Sequence, residues 1–269
     1  MFKLATVLIF FLLYSSCFAS KENLSKPRIV GGFPTDIVNV PYIVSLQLYG
    51  NHHCGGSIVN NNTIVTAAHC LAGIPRRLLK VKVGGTTRDP ADGQLFSAAS
   101  IHYHEKWSAS TMDYDIGLIR LANDLTYSRK IKAIGMNHKR IQDGSFATIS
   151  GWGFTTDNGA SSKVLRFARV PIVNQTVCKN LLGNRVTERM ICAGYLNSGG
   201  VDACQMDSGG PLVEREKLIG IVSWGIGCAL TNRPGVYARI EILFPWFDNL
   251  MKKLNTEKDI ALDSLRNNY

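Results

Sequence analysis

The chain has 269 residues, of which 45% are hydrophobic, 9% aromatic and 19% charged. The apolar content excludes a disordered protein, and a total of 25 glycines and 9 prolines excludes a collagen-like repeat. The formal net charge of +10 is compatible with a polyanionic partner but is equally typical of a solvated surface, so charge alone assigns no function.

Residues 1–19 predict a secretory signal peptide. Lys3 provides a positive start, the run 4–14 is mostly apolar, and Cys17 and Ala19 stand at the −3 and −1 positions of a cleavage site after Ala19. The alternative, an uncleaved membrane anchor, needs about 20 apolar residues, and this run is much shorter. We therefore expect a secreted, extracellular protein.

Seven cysteines occur, and Cys17 is removed with the signal peptide. An even number of remaining cysteines in an oxidising compartment predicts three disulfides, with the connectivity open from the sequence alone. A zinc site is disfavoured, because the remaining cysteines lack the close spacing of zinc ligands. These six are Cys54, Cys70, Cys178, Cys192, Cys204 and Cys228.

From Ile29 onward, short runs rich in β-branched and aromatic residues alternate with turns rich in Gly, Asn, Asp and Ser. This pattern predicts an all-β barrel or sandwich. A helix is predicted near the carboxyl end, where apolar residues recur at helical spacing over 243–254. We expect one domain over residues 29–255, preceded by a polar segment at 20–28 and followed by a short polar tail at 256–269.

Three residues of the types needed for nucleophilic catalysis by serine stand in distinctive contexts. His69 lies in TAAHC, Asp115 in DYDIGLIRL and Ser208 in CQMDSGGP. A serine nucleophile needs a base, a carboxylate that orients the base, and donors for the developing oxyanion. Each residue alone is more often an ordinary surface, turn or loop residue, but together they form a candidate triad.

The chain resembles the trypsin-like serine proteases of the chymotrypsin family from Ile29 to the terminal helix. The candidate triad follows the chymotrypsin order, and further matching segments are RIVGG, GGSIV, SGWG, ICAGY, IVSWGIGC and PGVYARI. The resemblance implies two six-stranded antiparallel β-barrels packed together, a C-terminal α-helix, and an active site in the cleft between the barrels. It implies a monomeric endopeptidase that acts on polypeptides and binds protein inhibitors, with no cofactor, metal, nucleic acid or membrane partner.

The resemblance also implies a role for each member of the candidate triad. Ser208 would attack the scissile carbonyl, His69 would accept and return the proton, and Asp115 would orient His69. The backbone N–H groups of Met206 and Ser208 would form the oxyanion hole. Ser223 would support Asp115 and the substrate backbone.

The expected specificity follows from the same resemblance. Asp202 stands where trypsin-like members hold the carboxylate at the pocket floor, and Gly225 and Gly235 occupy the open walls. A buried carboxylate requires a cationic partner, which predicts cleavage after Arg or Lys. Ala203 stands where many trypsins have a serine hydroxyl. Because a guanidinium pairs bidentately with Asp202 unaided, we expect Arg to be preferred over Lys.

Residues 20–28 resemble an activation peptide that is cut after Arg28. The freed amino group of Ile29 would then bind Asp207 and order the oxyanion loop. Since Arg28 fits the predicted specificity, cleavage after Arg28 by the enzyme itself is one possible route of activation. The resemblance further implies the disulfide pairs Cys54–Cys70, Cys178–Cys192 and Cys204–Cys228.

Met206 departs from the family pattern, which usually has glycine at this position. Glycine tolerates backbone angles that a β-carbon resists, and loss of one oxyanion donor lowers kcat by ~10²–10³-fold. This departure keeps open an alternative, a protease homologue of low activity that acts mainly by binding. A second alternative is a polyanion-binding secreted protein, for which the basic residues of 76–82 are the candidate surface.

Other candidate sites have weaker support. His52, His53, His102, His104 and His138 are predicted to lie at the surface, since no third ligand is evident beside the pair His102 and His104. Asp89 and Asp92 lie in a loop, but the paired glutamates of calcium-binding trypsins are absent. Asn61 and Asn174 begin N-x-T sequons and are candidates for glycosylation.

Overall fold

The structure is a computed structural model that describes residues 32–155 and 160–266, with side chains described as far as 257. The predicted signal peptide (1–19), the activation segment (20–28) and Ile29 lie outside the described residues. Within the described part, no helix combines the length and apolar character needed to cross a membrane.

The first β-barrel is formed by the amino-terminal half of the chain. A short strand, β1 (Phe33–Pro34), precedes it and pairs with the second barrel instead. Six antiparallel strands then close in the order β2-β3-β4-β7-β6-β5. Their bounds are β2 (Ile43–Leu48), β3 (Asn51–Asn60), β4 (Thr63–Thr66), β5 (Leu79–Val83), β6 (Gln94–Tyr103) and β7 (Gly117–Leu121).

The second β-barrel is formed by the carboxyl-terminal half. Its strands run in the order β10-β11-β14-β13-β12-β9, and pairing of β9 with β10 closes the ring. The short β8 (Gly135–Met136) adds to β13 in parallel. The six barrel strands are β9 (Phe146–Gly151), β10 (Arg166–Val173), β11 (Met190–Ala193), β12 (Pro211–Glu214), β13 (Lys217–Trp224) and β14 (Gly235–Arg239). The predicted pair of six-stranded antiparallel barrels is thus confirmed.

Within the described residues, two α-helices accompany the barrels. Helix α1 (Gln175–Leu182) begins after Asn174, whose side-chain oxygen accepts hydrogen bonds from two backbone N–H groups of the first turn and so caps the helix. Helix α2 (Ile240–Arg266) is the predicted C-terminal helix. It continues through most of the segment 256–269 that the sequence predicts as a polar tail, because residues 256–266 contain neither glycine nor proline to end it.

A continuous apolar core joins the barrels and α2. Buried side chains of the first barrel, among them Val44 and Ile119, belong to one cluster with Leu218 and Ile221 of the second barrel and with Leu243 of α2. Since burial of each such side chain contributes about 1.5–3 kcal/mol, this shared core fixes how the barrels dock. The docking in turn defines the cleft in which the candidate site lies.

Three disulfides form, and they are the pairs that the resemblance implies. Cys54–Cys70 joins β3 to the turn after β4, Cys178–Cys192 joins α1 to β11, and Cys204–Cys228 joins two loops of the second barrel. Each cross-link contributes about 2–4 kcal/mol, partly by restricting the unfolded chain.

Both sequon asparagines are exposed. The amide nitrogen of Asn61 donates to Asp124 Oδ2 at 3.0 Å, and that of Asn174 donates to Asp143 Oδ2 at 2.7 Å. Glycosylation at these residues stays a prediction.

The loop after β5 closes around a buried lysine. Lys82 is only 3% exposed, and its ammonium donates to the carbonyl of Thr87 at 3.0 Å and to the carbonyl of Asp89. The Asp92 carboxylate accepts bonds from the backbone and hydroxyl of Thr87. Burial lowers the pKa of Lys82, and the charges of Asp92 and Asp89 oppose that shift. The two loop acids therefore face an ammonium group of the protein itself.

We expect the substitution Lys82→Met to lower the free energy of unfolding by about 1–3 kcal/mol, because it removes the ammonium that binds the partly buried carbonyl groups of Thr87 and Asp89. In a thermal melt this corresponds to a fall in Tm on the order of 5 °C. The matched control is Lys80→Met, because Lys80 is exposed on the same strand. Equal Tm values for the two variants would contradict the prediction. A fall in the parent's Tm on addition of a calcium chelator would also contradict it, because it would show that the two loop acids hold a calcium ion in addition to facing the Lys82 ammonium.

Candidate active site

Asp115 is a buried carboxylate whose two oxygens are both engaged. It is 2% exposed and sits in a tight turn in which the N–H of Ile116 donates to the carbonyl of Tyr114 at 2.8 Å. Its Oδ1 accepts from the backbone N–H of His69 at 2.9 Å, and its Oδ2 accepts from His69 Nδ1 at 2.7 Å. Ser223 Oγ donates to the same Oδ2 at 2.6 Å. These contacts fix both the backbone and the ring of His69.

The tautomer of His69 follows from its partner. An ionised carboxylate only accepts hydrogen bonds, so Nδ1 carries the proton and Nε2 has a free lone pair. His69 lies in a short 3-10 turn directly before Cys70, where the Cys54–Cys70 disulfide holds it. The His69 side chain remains 21% exposed, which leaves the ring accessible from the cleft.

Ser208 lies in the loop that follows Cys204, and tight contacts bring this loop against the first barrel. The N–H of Gly55 donates to the carbonyl of Ser208 at 2.7 Å. Gly209 has φ +78°, and a Cβ at this position would lie 2.2 Å from Thr66 Oγ1 and 3.2 Å from Cys70 Sγ. Glycine is thus required here, and it allows Ser208 to approach the segment that carries His69.

A cavity of about 240 Å³ is lined by both Ser208 and Asp202. The Asp202 carboxylate is buried; Oδ2 accepts from the N–H of Ala229 at 3.3 Å, and among the described residues Oδ1 has no hydrogen-bond partner. Burial is the main cause that raises the pKa of Asp202 to about 7. The remaining predicted pocket residues, Ala203, Ser223, Gly225 and Gly235, also line this cavity.

Gly235 keeps the floor of this cavity open. A Cβ at Gly235 would lie 2.6 Å from Asp202 Oδ1, so any side chain there would cover the carboxylate. A larger groove of about 1350 Å³, lined by Tyr42, Phe146 and Lys217 among others, shares no lining residue with this cavity. Size alone therefore does not locate the candidate site.

Asp207 is a second buried carboxylate next to Ser208. Its oxygens accept from the N–H of Gly153 at 2.7 Å and from the N–H of Cys204 at 3.1 Å. A Cβ at Gly153 would lie 2.3 Å from Asp207 Oδ2, so glycine makes room for the carboxylate. Burial raises the pKa of Asp207 to about 6. Its predicted cationic partner, the amino group of Ile29, lies outside the described residues.

Met206 adopts the left-handed backbone conformation, with φ +72°. A residue with a β-carbon pays about 1–2 kcal/mol for this conformation, whereas glycine adopts it freely. The carbonyl oxygen of Met206 accepts a hydrogen bond from His52 Nε2 at 2.8 Å. Met206 thus keeps the backbone conformation that glycine would take, and His52 fixes the direction of its carbonyl group.

The prediction that the histidines lie at the surface is wrong for His52 and His104, which are both 6% exposed. His52 Nδ1 accepts from Ser45 Oγ at 2.7 Å, and burial is the main cause that lowers its pKa to about 4. His104 packs against Tyr114 and Trp246. The alternation of side chains along β3 could have indicated that either His52 or His53 faces inward. The contact of His52 with Met206 could not have been predicted in this way, because the two residues lie far apart in sequence.

One group of potential metal ligands occurs among the described side chains. It consists of Cys54, His69 and Cys70, whose ligand atoms lie within 4.8 Å of one another. Because the two sulfur atoms form a disulfide with each other, they provide no thiolate for a metal ion.

Comparison with known proteins identifies the family. A family model described as Trypsin matches residues 29–247. Trypsin alpha-4 of Lucilia cuprina is 44% identical over 222 residues, which cover 81% of this chain and 86% of the relative. Trypsin delta of Drosophila melanogaster is 44% identical over 224 residues, covering 81% of this chain and 87% of the relative. Hypodermin-B of Hypoderma lineatum is 44% identical over 223 residues, covering 81% and 86%.

The chain belongs to the trypsin family. It is a serine endopeptidase that acts on polypeptide substrates, so the predicted family and enzyme class are confirmed. Within this trypsin-family chain, the structure places His69 and Asp115 in direct contact, and Ser208 lines the same cavity as Asp202.

We expect a small cation such as benzamidine to bind this cavity more weakly as the pH falls below 7. The raised pKa means that Asp202 in the empty cavity takes up a proton near pH 7, whereas a cation binds the ionised form, so affinity should fall by up to about tenfold per pH unit. Calorimetry between pH 5 and 8 on protein beginning at Ile29 measures this dependence. The variant His69→Gln should retain the slope and Asp202→Asn should lose it, and a flat profile in the parent would contradict the prediction.

Proposed function

We propose that this trypsin-family endopeptidase is secreted, is activated by cleavage after Arg28, and cleaves peptide bonds after Arg in preference to Lys. The observation that carries the specificity is the buried Asp202 carboxylate, which lines the cavity beside Ser208 and has one oxygen without a hydrogen-bond partner among the described residues. A buried carboxylate in this state is costly until a cation pairs with it. The side chain of a basic substrate residue supplies that cation.

The reaction uses Ser208, His69 and Asp115 as a triad. His69 Nε2 removes the proton from Ser208 Oγ as this oxygen attacks the scissile carbonyl, and the resulting imidazolium gives the proton to the leaving amine. Asp115 holds the ring through Nδ1 and stabilises its charged form. A water molecule then attacks the acyl-enzyme, with the same proton transfers in reverse, and restores Ser208.

The oxyanion that forms on the substrate carbonyl is bound by the backbone N–H groups of Met206 and Ser208. Two observations support a working oxyanion hole in spite of the methionine. The φ of Met206, +72°, lies in the region that glycine favours, and the bond from His52 to the Met206 carbonyl restrains the peptide that follows. The methionine side chain would narrow the leaving-group side of the cleft and so disfavour bulky substrates and protein inhibitors there.

The preference for Arg rests on the shape and the donors of the two cationic groups. A guanidinium presents parallel N–H donors that match the two oxygens of Asp202, whereas a lysine ammonium is a compact charge that needs further acceptors. Ala203 supplies no hydroxyl for that purpose. A lysine substrate would therefore leave part of the donor capacity of its ammonium unused.

Activation would create a new cation inside the protein. Cleavage after Arg28 frees the amino group of Ile29, and Asp207 is the buried carboxylate that would receive it. The raised pKa of Asp207 indicates that its charge has no sufficient partner among the described residues. The start of the described chain is also held, since Arg166 Nη2 donates to the carbonyl of Gly32 at 2.8 Å. This contact fixes the chain three residues after the position of the new amino terminus.

Secretion is proposed from the signal sequence at residues 1–19 and is supported by the three disulfides, which are typical of oxidising compartments. The alternative function is a homologue of low activity that acts mainly by binding. It is favoured by one observation, the non-glycine residue Met206 at positive φ, since any displacement of its N–H would weaken the oxyanion hole.

Steady-state hydrolysis of a small Arg amide by protein beginning at Ile29 tests the catalytic proposal. We expect Ser208→Ala to lower kcat by ~10⁵–10⁶-fold. We expect Met206→Gly to change kcat by less than about threefold, since the φ of Met206 already lies in the region that glycine favours. An inactive parent together with a gain of ~10²–10³-fold in Met206→Gly would instead support the low-activity alternative.

Matched peptide substrates that differ only in Arg or Lys before the scissile bond test the specificity. We expect kcat/KM to favour Arg by about tenfold, the effect of one charge-assisted hydrogen bond. Ala203→Ser should improve the Lys substrate several-fold, because the hydroxyl gives the ammonium a further acceptor. Ala203→Gly, which adds no hydroxyl, should keep the parent's ratio. Equal kcat/KM values in the parent would refute the preference.

A further inference from the structure

A second carboxylate of the first barrel lies two residues before Asp115. Asp113 belongs to the loop between β6 and β7, and its side chain is 13% exposed. Its Oδ1 accepts from the N–H of Tyr114 at 2.9 Å. The remaining partners of this carboxylate come from the other barrel.

The segment before β11 supplies three donors to Asp113. Arg189 Nε donates to Oδ1 at 2.8 Å and Arg189 Nη2 donates to Oδ2 at 2.5 Å, which is a bidentate pair. Thr187 Oγ1 donates to Oδ1 at 2.9 Å. Such a paired guanidinium and carboxylate fixes orientation as well as distance.

Both residues of the second barrel are firmly held in their own barrel. The carbonyl of Arg189 accepts from the N–H of Arg239, which ends β14, at 2.8 Å. The carbonyl of Thr187 accepts from Gln175 Nε2 of α1 at 2.9 Å. The backbone that carries the donors to Asp113 is therefore hydrogen-bonded within the second barrel, independently of the loop of the first barrel.

The loop that carries Asp113 needs such support. The residues on either side, Met112 and Tyr114, have φ +55° and +56°, a conformation that side chains with a β-carbon adopt only at a conformational cost. The guanidinium of Arg189 also lies 4.4 Å from the centre of the Tyr114 ring, a cation–π distance. Arg189 thus stabilises two successive residues immediately before Asp115.

The charge of Asp113 persists over the working pH range of a histidine base. Burial acts to raise the pKa of Asp113, but hydrogen bonds from Arg189, Thr187 and the Tyr114 N–H outweigh burial and hold it below its ordinary value. The hydrogen bond to Asp113 in turn raises the pKa of Arg189. The pair stays ionised whenever His69 is able to act as a base.

We propose that Asp113 and Arg189 form a positioning pair that holds Asp115, and through it His69, in register with Ser208 across the cleft between the barrels. Ser223 of the second barrel contacts the Asp115 carboxylate itself. Arg189 binds Asp113, which lies two residues before Asp115, and so holds the backbone that orients the Asp115 carboxylate. The proposal rests on the triad assigned under the proposed function.

The variant Arg189→Met tests the proposal. We expect kcat on the small Arg amide to fall by ~10–100-fold, the scale of a small misplacement of catalytic groups, while KM changes by less than about twofold. The acid limb of the kcat profile should move to lower pH, because a displaced Asp115 stabilises the His69 imidazolium less well. Arg189→Lys, which keeps the charge but not the bidentate contact, should lie between Arg189→Met and the parent.

The matched control is Glu188→Gln. Glu188 stands between Thr187 and Arg189 but is exposed and pairs with Lys179 of its own barrel, so kcat and the pH profile should match the parent. If Arg189→Met lowers Tm but leaves kcat and the acid limb unchanged, the pair is only structural and the proposal is overturned. If Arg189→Met does not fold, Thr187→Val removes one of the three donors and should give the same changes to a smaller degree.

A readout that does not depend on turnover separates this proposal from the proposed function. In proton NMR, the His69 Nδ1 proton bound to Asp115 should shift upfield or exchange faster in Arg189→Met than in the parent and in Glu188→Gln. An inactive parent would overturn the proposed function, yet this signal would still test the positioning pair. An unchanged signal in Arg189→Met would overturn the positioning pair even in an active enzyme.

Discussion

The candidate site depends on one buried carboxylate that both barrels must satisfy. Asp115 receives two hydrogen bonds from His69 of its own barrel and one from Ser223 of the other. A buried carboxylate that lacks one of its donors is strongly destabilising, so the barrels are stable together only when docked closely enough to complete this set. The bond from Gly55 to the carbonyl of Ser208 imposes the same condition beside the nucleophile.

Three buried carboxylates belong to the candidate site, and they differ in how many hydrogen-bond donors each one has. Asp115 has donors on both oxygens and serves the geometry of His69. Asp207 has one backbone donor on each oxygen, which fits a group awaiting a cation from the protein itself. Asp202 has an oxygen with no partner among the described residues, which fits a group awaiting a cation from the substrate. Burial raises the pKa of both Asp202 and Asp207, so both gain from such a partner.

Three of the eight described non-glycine residues with positive φ stand next to a carboxylate discussed above. Met206 stands one residue before Asp207 at positive φ, and Met112 and Tyr114 flank Asp113 in the same conformation. Each departs from the local preference of its residue type, and natural proteins commonly depart from such preferences at functional sites. Side chains distant in sequence contact two of these residues: His52 binds the carbonyl of Met206, and Arg189 packs on Tyr114.

The sequence by itself determined the strand-rich fold, the terminal helix, and the motifs around His69, Asp115 and Ser208, because these depend on local periodicity and on short segments that contiguous residues carry. It did not reveal that His52 is buried, that the Lys82 ammonium binds the carbonyl groups of the loop after β5, or that Arg189 forms a bidentate pair with Asp113. Each of these contacts joins residues that the chain keeps far apart and only barrel closure or docking brings together. Burial and pairing are properties of that packed arrangement, and only the tertiary structure decided them.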